Sequence, residues 1–547
     1  MKGLIIGASI GNCVHVAGVI NFLKLAEEKG YRTKFLGPAT SINYLLNAVE
    51  ETDPDMVALG YRLTPESALR VFKSLKNSII ERGLNNYKFI FGGTLPVAIE
   101  AQKVEIFDAI FTGKESTGEI ISFLEGRKFE IEEIEYGNNL IERINFKKPY
   151  PLIRHHFGLP DLKDTINGVK KIAASKVLDI ISLGPDQNAQ ESFFRPEEIN
   201  EDEKGAGGVP IRKKQDLIDI YRVSRRGNFP LMRSYSGTRD VFKMAKLLLE
   251  TIHNAWAAIP LSWYNKLDGR GPRGLYESII ENQELMKWHA KKNIPVEVNE
   301  SHHWSLRDAH DSVAVAMAYL AAYNAKIMGV KTYIAQYMFN NPATTSATMD
   351  LAKMLAKKEL IEGLEDDSFK VLTQVRAGLA SFPTDLDKAK GQLAYSTFLS
   401  MAIKPEILHV VGYSEADHAA ESSDLIESCK IAGQVIKNTI NNYPDFTYDQ
   451  NIINRRDQLL AESKVLLNAI KNIAGKDIDF PLADASVISK AIKTGIIDAP
   501  HLKGNPVGAG ILKTKMIDGA CYAYDYDNDK ILNEDERINN LIKGHQL

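Results

Sequence analysis

The sequence predicts an α/β protein with three parts: an N-terminal doubly wound, flavodoxin-like (Rossmann-like) domain, a TIM-type (β/α)₈ barrel and a small C-terminal tail. Short apolar runs alternate with helical patterns over the first 125 residues, and the same rhythm returns after residue 171 with longer helices. A chain of 547 residues is also too long for one ordinary domain. The predicted boundaries are 1–125 for the first domain, 126–170 for a linker, 171–475 for the barrel and 476–547 for the tail.

The first domain is predicted to contain four buried strands with helices between them. The strands cover residues 3–9, 55–61, 88–93 and 108–113, and the helices include 16–30 and 65–83. In an open parallel sheet, ligands bind outside the carboxyl ends of the strands, where the strand order reverses. A binding site is therefore expected in the loops that follow these strands.

The barrel is predicted from seven strands, each followed by a helical pattern. These strands cover residues 177–184, 230–236, 257–265, 295–301, 332–339, 374–381 and 407–414. A barrel of this type needs an eighth strand, and the sequence does not show where it lies. The preceding segment, 126–170, is charged and irregular, and we interpret it as a linker with some structure of its own.

Composition and charge exclude several classes of protein. Hydrophobic residues make up 44% of the chain and charged residues 25%, which is an ordinary globular balance. A net charge of −3 does not indicate a nucleic-acid or membrane partner, and no apolar run is long enough to span a bilayer. The N-terminus continues into strand and helix without a cleavage site, and only three cysteines occur. We expect a cytoplasmic protein, a small-molecule partner and a homodimer.

Three short motifs stand at the carboxyl ends of the predicted strands in the first domain. They are Cys13-Val14-His15-Val16-Ala17-Gly18, Tyr61-Arg62-Leu63 and Gly92-Gly93. In order and spacing they resemble the Asp-x-His-x-x-Gly, Ser-x-Leu and Gly-Gly motifs of cobalamin-binding domains of the mutase and methionine synthase type. The resemblance implies that His15 is the ligand to cobalt. It also implies cofactor binding through Cys13, Gly18, Tyr61, Leu63, Gly92 and Gly93.

Two residues depart from the family's pattern. Cys13 replaces the aspartate that hydrogen-bonds the ligating histidine, and a thiol is a weaker partner. Tyr61 replaces the serine, and we expect it to reshape the pocket for the nucleotide tail. The alternative is a flavodoxin-like domain that has lost or exchanged this cofactor.

Polar side chains follow the predicted barrel strands, where catalytic groups of such barrels lie. Arginines suit a carboxylate or phosphate, and the substrate-binding candidates are Arg233, Arg239, Arg270, Arg273 and Asn299. The catalytic candidates are Glu300, as general base or substrate partner, with His302, Tyr235 and Asp268. A metal site built from Glu300, His302 and His303 remains an alternative to substrate contacts by the two histidines.

The barrel and tail also resemble, more loosely, the catalytic subunit of glutamate mutase. The similar segments are RSYSGTRD, PVEVNES and ADASVISKAIKTGIIDAPHL with MIDGACYAYD. The resemblance implies a mutase whose barrel mouth faces the cobalamin domain and excludes water, and in which cobalt–carbon homolysis starts radical chemistry. Asn299 stands where the family has a substrate-binding arginine, so we expect a substrate other than glutamate.

The sequence therefore predicts an adenosylcobalamin-dependent radical isomerase, a carbon-skeleton mutase acting on a small carboxylate-bearing substrate. A corrinoid-dependent methyltransferase and a cobalamin-binding protein without catalysis remain alternatives. In the tail, four acidic residues have the spacing of a calcium-binding EF-hand loop: Asp525, Asp527, Asp529 and Glu536. Lys530 stands where that loop needs glycine, so an acidic surface turn is the other interpretation.

Overall fold

The structure is a computed structural model that describes residues 2–113, 115, 117–126, 136–235, 237–440 and 444–545. The chain divides into two compact units, Met1–Glu135 and Tyr136–Leu547. No helix among the described residues has both the length and the apolar character needed to cross a membrane.

The first unit is a five-stranded parallel sheet with strand order β2-β1-β3-β4-β5. Its strands are Leu4–Ile10 (β1), Arg32–Thr40 (β2), Met56–Tyr61 (β3), Phe89–Gly93 (β4) and Ala109–Phe111 (β5). Its helices are Ala17–Glu28 (α1), Ile42–Thr52 (α2), Pro65–Glu81 (α3), Leu95–Gln102 (α4) and Thr117–Leu124 (α5). The strand order reverses at β1, which confirms the doubly wound fold. Strand β2 was not predicted, because it is a largely exposed edge strand without an apolar run.

The two faces of this sheet carry separate cores. Helices α2, α3 and α4 cover one face, with Val49, Phe72 and Val97 buried against it. Val19 and Leu23 of α1 and residues of α5 pack on the other face. The α1 face ends in small residues at the carboxyl ends of three adjacent strands: Ser9, Gly60 and Gly92.

The second unit is built on eight parallel strands in sequential order, and a bridge between Tyr235 and Ala258 nearly closes the ring between its two edge strands. The strands are Leu152–Phe157 (β6), Ile180–Leu183 (β7), Leu231–Arg233 (β8), Ala257–Pro260 (β9), Val296–Asn299 (β10), Thr332–Phe339 (β11), Lys370–Ala377 (β12) and Ile407–His409 (β13). The helices are Leu140–Lys147 (α6), Leu162–Ser175 (α7), Gln187–Glu191 (α8), Lys214–Ser224 (α9), Val241–Ile252 (α10), Leu275–Ala290 (α11), Ser301–Ser305 (α12), Asp311–Ile327 (α13), Ala347–Glu362 (α14), Leu386–Ser400 (α15), Ser422–Thr439 (α16) and Gln450–Lys471 (α17). The predicted (β/α)₈ barrel is confirmed.

The eighth strand is the first strand of the barrel. It is β6, which pairs with β7 on one side and with β13 on the other. The barrel therefore begins before residue 171, inside the segment that was predicted to be a linker. Strand β6 was missed because its sequence, LIRHHF, is half charged or imidazole-bearing. Residues 127–135 of the predicted linker lie outside the described residues.

The interior of the barrel changes from apolar to charged along the strands. The amino-terminal layer packs against Leu140 and Ile144 of α6, which close that end. It consists of Leu152, Ile180, Leu231, Trp256, Ile334 and Ile407, with Leu372 beside them. Because side chains on a strand alternate between its faces, residues two positions further on also point inward. They include Arg154, Ser182, Arg233 and Gln374, so the charged layer lies toward the carboxyl ends.

The C-terminal tail belongs to the same compact unit as the barrel. It contains Ala485–Lys493 (α18), the antiparallel strands Thr514–Ile517 (β14), Ala520–Asp525 (β15) and Lys530–Leu532 (β16), and Glu534–His545 (α19). Two buried polar contacts tie it to the start of α13. His310 Nε2 lies 3.0 Å from Glu534 Oε2, and the backbone N–H of Cys521 donates to Asp311.

The acidic tail segment forms a β-hairpin and has no entering helix. Asp525 accepts the backbone N–H groups of Asp527 and Asn528, which closes the turn between β15 and β16. Glu536 pairs with Lys530, the residue at the glycine position of an EF-hand loop. Within the described part of the chain, no three histidine, cysteine or acidic side chains are placed to hold a metal ion. The hairpin therefore does not have EF-hand geometry.

Glu534 is expected to hold the tail on the barrel. Burial opposes its charged form, but Arg537 and His310 outweigh burial and lower its pKa to about 2. The Glu534→Gln variant leaves Arg537 buried without its charge partner, so we expect the free energy of unfolding at pH 7 to fall by roughly 3–5 kcal/mol. Thermal unfolding of this variant, with the exposed Asp535→Asn as the matched control, measures the loss.

The pH dependence of this difference has a definite sign. The folded pKa of Glu534 is depressed, so its stabilisation is complete above its ordinary pKa of about 4.5 and disappears as the pH falls toward 2. The gap in melting temperature between wild type and Glu534→Gln should therefore narrow below pH 4.5. A gap that stays constant down to pH 3 contradicts the assignment.

Candidate functional site

The loop after β1 presents the His15 imidazole at the carboxyl edge of the first sheet. His15 is exposed, whereas Cys13 is fully buried, with its Sγ 3.7 Å from His15 Nδ1. The loop is fixed by backbone contacts: Ala39 N–H donates to the Cys13 carbonyl, and Ser9 Oγ donates to the His15 carbonyl. The Nδ1 edge of the ring therefore faces the protein, and within the described residues Nε2 has no hydrogen-bond partner.

Tyr61 points away from the small-residue face. Its ring packs edge-on against Phe72 on the side of the sheet covered by α3, and its hydroxyl donates to Asn12 Oδ1 at 2.9 Å. Burial raises the pKa of Tyr61, so the phenol stays neutral. Leu63 is half-buried against the same core. The Tyr61 ring thus lies on the other face of the sheet from Gly60 and Gly92. The prediction that Tyr61 reshapes the pocket for the nucleotide tail does not fit this position.

The glycines of the motifs leave the backbone accessible beside His15. A Cβ on Gly92, or on Gly18 in the first turn of α1, would meet no atom within 4 Å. A Cβ on Gly93 would lie only 2.7 Å from the Phe91 ring, so this position excludes any side chain. Together with Gly60 and Ser9, Gly92 forms a shallow face that a ligand chain can approach closely. An exposed imidazole next to such a face fits a cofactor with a metal centre and a long tail.

In the second unit, Glu297 lies at the centre of the charged layer inside the barrel. Its Oε2 accepts from Trp256 Nε1 at 2.7 Å, and lies 3.3 Å from Arg233 Nη2 and 3.5 Å from Arg154 Nη1. Burial opposes its ionisation, but Arg233 and Arg154 hold the pKa of Glu297 below its ordinary value. Arg154 also donates to Gln374 Oε1 at 2.6 Å. One carboxylate thus serves two buried guanidinium groups.

A second group of polar rings lies beside this network. His156 Nε2 accepts from Arg154 Nη2 at 3.0 Å and lies 3.3 Å from the Tyr235 hydroxyl, and its ring stacks on His409. Because a guanidinium group can only donate, His156 carries its hydrogen on Nδ1. Burial and the nearby Arg154 lower the pKa values of His156 and His409 well below the ordinary value, so both rings are neutral.

The barrel interior has guanidinium donors that no described residue accepts from. Nε and Nη1 of Arg233 are buried and have no hydrogen-bond partner among the described residues. Arg376, at the end of β12, donates to the carbonyl of Ala377 through Nε. Burial raises the pKa of the nearby Glu415, an effect that Arg376 opposes. This end of the barrel thus brings together three arginines, the carboxylate of Glu297, whose pKa is lowered, and Glu415, whose pKa is raised.

Glu300 is a structural brace in this structure. Both of its carboxylate oxygens accept hydrogen bonds: from Ser262 N–H at 3.0 Å, from Ser262 Oγ, from Trp304 Nε1 at 2.8 Å and from Leu261 N–H. These bonds tie the loop after β9 to α12. Burial raises the pKa of Glu300 and the four donors oppose that rise. A carboxylate occupied in this way is a poor candidate for the general base that the sequence suggested.

Of four other predicted site residues, three form hydrogen bonds or ion pairs within the protein. Asp268 accepts the backbone N–H groups of Tyr264 and Asn265 and so shapes its own loop. Arg273 is paired with Glu281, and Arg239 with Glu198. Arg270 is exposed and lies over the Tyr264 ring at 5.2 Å. Only Arg270 of these four remains available to a ligand.

Asn299 and the two adjacent histidines lie at the end of β10. Asn299 is buried and two residues beyond Glu297, so it shares the inward face. Burial, assisted by Arg376, lowers the pKa of His302 to about 3. The His302 and His303 rings lie 4.4 Å apart, but no third ligand joins them in a metal group within the described residues. Substrate contact by these histidines stays a prediction.

The sequence predicted Arg233 and Tyr235 of this layer, but it missed six other residues. They are Arg154, His156, Glu297, Gln374, Arg376 and His409. The available signal was a charged residue or histidine at alternate positions of a short strand, as in LIRHHF, VEVN and TQVRA. The sequence interpretation favoured loop residues at the strand ends, whereas the site lies one layer deeper.

Comparison with known proteins identifies the N-terminal domain. Residues 3–122 match the model of the B12 binding domain family. The search of curated proteins found no match. A solved structure of a cobalamin-binding protein from Desulfitobacterium hafniense DCB-2 is 25% identical, with 20% of this chain and 52% of that chain covered and a TM-score of 0.19. The first unit is therefore a B12-binding, Rossmann-like domain.

Solved structures also match across more of the chain. A GH138 enzyme targeting pectin rhamnogalacturonan II is 10% identical over 86% of this chain and 56% of its own, with a TM-score of 0.34. OxsB, a cobalamin-dependent S-adenosylmethionine radical enzyme, is 12% identical over 81% and 57%, with a TM-score of 0.18. This chain thus spans only about half of each protein. The resemblance to the glutamate mutase catalytic subunit stays a prediction.

If the hydrogen bonds of Glu300 stabilise the loop after β9 and α12, replacing this residue should lower the free energy of unfolding. In Glu300→Gln, one oxygen becomes an amide nitrogen that faces hydrogen-bond donors, so we expect a loss of about 1–3 kcal/mol in the free energy of unfolding. The measurement is thermal or urea unfolding, with Glu284→Gln on the exposed side of α11 as the control. An unchanged melting temperature would instead return Glu300 to the list of candidate bases.

Proposed function

We propose that this protein, with a B12-binding domain and a charged barrel, is an adenosylcobalamin-dependent isomerase: a carbon-skeleton mutase acting on a small carboxylate-bearing substrate. The observation that carries the proposal is the pair of Arg233 nitrogens inside the barrel that have no partner among the described residues, with Arg376 as a second source of donors. Buried N–H groups without partners are costly, and a bound anion would satisfy them. The barrel mouth is therefore the proposed substrate site.

The first unit would hold the cofactor. His15 Nε2 is the proposed lower ligand to cobalt, because it is the ring nitrogen that faces away from the protein. The face formed by Ser9, Gly60 and Gly92 would take the nucleotide tail, since Gly92 leaves open space there. When bound, adenosylcobalamin supplies a carbon-centred radical that removes a hydrogen atom from the substrate.

Arg233 and Arg376 would bind the substrate from opposite sides. Strands β8 and β12 are four positions apart in either direction around the eight-stranded ring, so the two guanidinium groups approach the barrel axis from opposite walls. Arg233 is held in place by Glu297 and lies 4.4 Å over the Tyr235 ring. Such a fixed donor group binds an anion with little further ordering.

The remaining polar groups are suited to orienting the substrate and to excluding water. Tyr235 has its hydroxyl near His156 and its ring under Arg233, so it can place an O–H group beside a bound carboxylate. His156 is neutral, and its Nε2 is already an acceptor for Arg154. A closed apolar layer below this site blocks entry of water from the amino-terminal end. These conditions protect a reactive intermediate from quenching.

Electron paramagnetic resonance tests the function. The purified chain is loaded with adenosylcobalamin and mixed with small carboxylates. A substrate-dependent cobalt(II)–radical signal supports the mutase. Accumulation of methylcobalamin or cobalt(I) with a methyl donor would establish the methyltransferase instead. Corrinoid binding without either reaction indicates a binding protein, and His15→Ala serves as the control for the cobalt ligand.

Arg376 is expected to contribute to substrate affinity without being part of the fold's core network. The Arg376→Gln variant removes charge-assisted hydrogen bonds to the substrate anion, which should weaken binding roughly 10- to 100-fold. Calorimetric titration with the carboxylate that gives the radical signal measures this effect. Arg222→Gln, on an exposed face of α9, is the matched control, and equal affinity of both variants would refute the role of Arg376.

A further inference from the structure

We infer that Cys13 determines which ring nitrogen of His15 carries the hydrogen, and thereby how readily His15 binds cobalt. This inference rests on the proposed cofactor. It concerns a residue that departs from the family's pattern, so it does not follow from the resemblance. The sulfur takes the place of a carboxylate, and the two groups differ in what hydrogen bonds they can make.

The geometry around the sulfur brings two groups to one atom. The backbone N–H of Arg62, in the loop after β3, donates to Cys13 Sγ at 3.3 Å. The same sulfur lies 3.7 Å from His15 Nδ1. Cys13 is fully buried, so solvent does not compete for these contacts. The sulfur therefore joins the histidine loop to the loop after the next strand in the sheet.

A thiol can act in two ways toward the imidazole. If Nδ1–H donates to the sulfur, Nε2 keeps its lone pair and can bind cobalt. If the S–H donates to Nδ1, the ring hydrogen is on Nε2, and that nitrogen cannot act as a ligand. An ionised carboxylate only accepts, so it would hold the ring in the ligating tautomer. In this protein both tautomers are therefore populated before the metal binds.

The hydrogen bond from the Arg62 N–H favours the Cys13 thiol as a donor to His15 over the thiol as an acceptor from it. The backbone N–H already occupies one acceptor direction of Sγ, which leaves less capacity to accept from His15 Nδ1–H. The free S–H remains able to donate to Nδ1. Cobalt binding must then shift the ring to the ligating tautomer, and the affinity is reduced by the fraction of the protein in the other form.

Nitrogen NMR of the complete chain, free of corrinoid, tests the inference directly. The protein is labelled with ¹⁵N-histidine, and the signal of His15 among the 12 histidines is assigned by its loss in His15→Ala. At pH 7.5 the wild type should show intermediate shifts at both nitrogens, the sign of two tautomers. Cys13→Asp should move the ring to the form with hydrogen on Nδ1. Cys13→Ser should resemble the wild type, because a hydroxyl also donates and accepts.

Cys13→Ala gives an independent comparison if the buried aspartate prevents folding. Without a partner at Nδ1, the tautomer ratio should approach that of an unstructured peptide with the sequence of residues 11–19. The inference is overturned if the wild type shows a single tautomer that the alanine and serine variants share. It is equally overturned if the folded aspartate variant leaves the ratio unchanged.

Binding of cob(II)alamin provides the second readout. In frozen samples, nitrogen superhyperfine coupling reports the fraction of cobalt that His15 ligates. We expect that fraction to rise in Cys13→Asp, with affinity increased by about 10-fold, the lower end of the range for partners of metal-bound histidines. Identical coupling and affinity in all variants would overturn the inference. If even the wild type binds no corrinoid, the proposed function fails, while the NMR result still decides the tautomer question.

Discussion

Glu297 supplies the single low-pKa carboxylate around which the charged layer of the barrel is arranged. Its Oε2 is within 3.5 Å of donors from Arg154, Arg233 and Trp256, which come from three different strands or strand ends. Without this carboxylate, two guanidinium groups would be buried side by side without a counter-charge, which would destabilise the fold. The position of Arg233, and therefore of its free nitrogens, depends on Glu297.

The same arrangement supports the proposal of an anionic substrate. Glu297 forms ion pairs with Arg154 and Arg233 and so compensates part of the positive charge in this layer. It forms no ion pair with Arg376, which lies closer to the barrel mouth. Two buried nitrogens of Arg233 have no partner among the described residues, and an unpaired buried donor is costly. In the proposed function, a bound anion would remove that cost and so gain affinity.

Much of the architecture was predictable because apolar runs and motif spacing depend on local sequence. Strands β1, β3, β4 and β5 and seven barrel strands were found in this way, as was the loop that carries His15. The edge strand β2 and the first barrel strand β6 were missed, because exposure in one case and charged interior residues in the other removed the apolar signal.

The distinction between Glu297 and Glu300 could not be made from the sequence. The two carboxylates are three residues apart, one on β10 and one after it. Their partners, Arg154 and Arg233 for the first and Ser262 and Trp304 for the second, depend on how distant strands pair around the barrel. Only the three-dimensional structure shows that Glu297 forms ion pairs inside the barrel and that Glu300 accepts hydrogen bonds from neighbouring loops.

The histidines of the barrel give the positive layer a further property. Burial lowers the pKa of His302 to about 3, and it takes the pKa values of His156 and His409 well below the ordinary value. These rings are therefore neutral across the physiological pH range, and the positive charge comes from arginine alone. Because arginine does not titrate in that range, neither these histidines nor the arginines change the charge of the proposed anion site between about pH 5 and pH 8. The histidines act there as neutral hydrogen-bonding groups, so the carboxyl of Glu415, whose pKa burial raises, is among the groups that can give this end of the barrel a pH dependence.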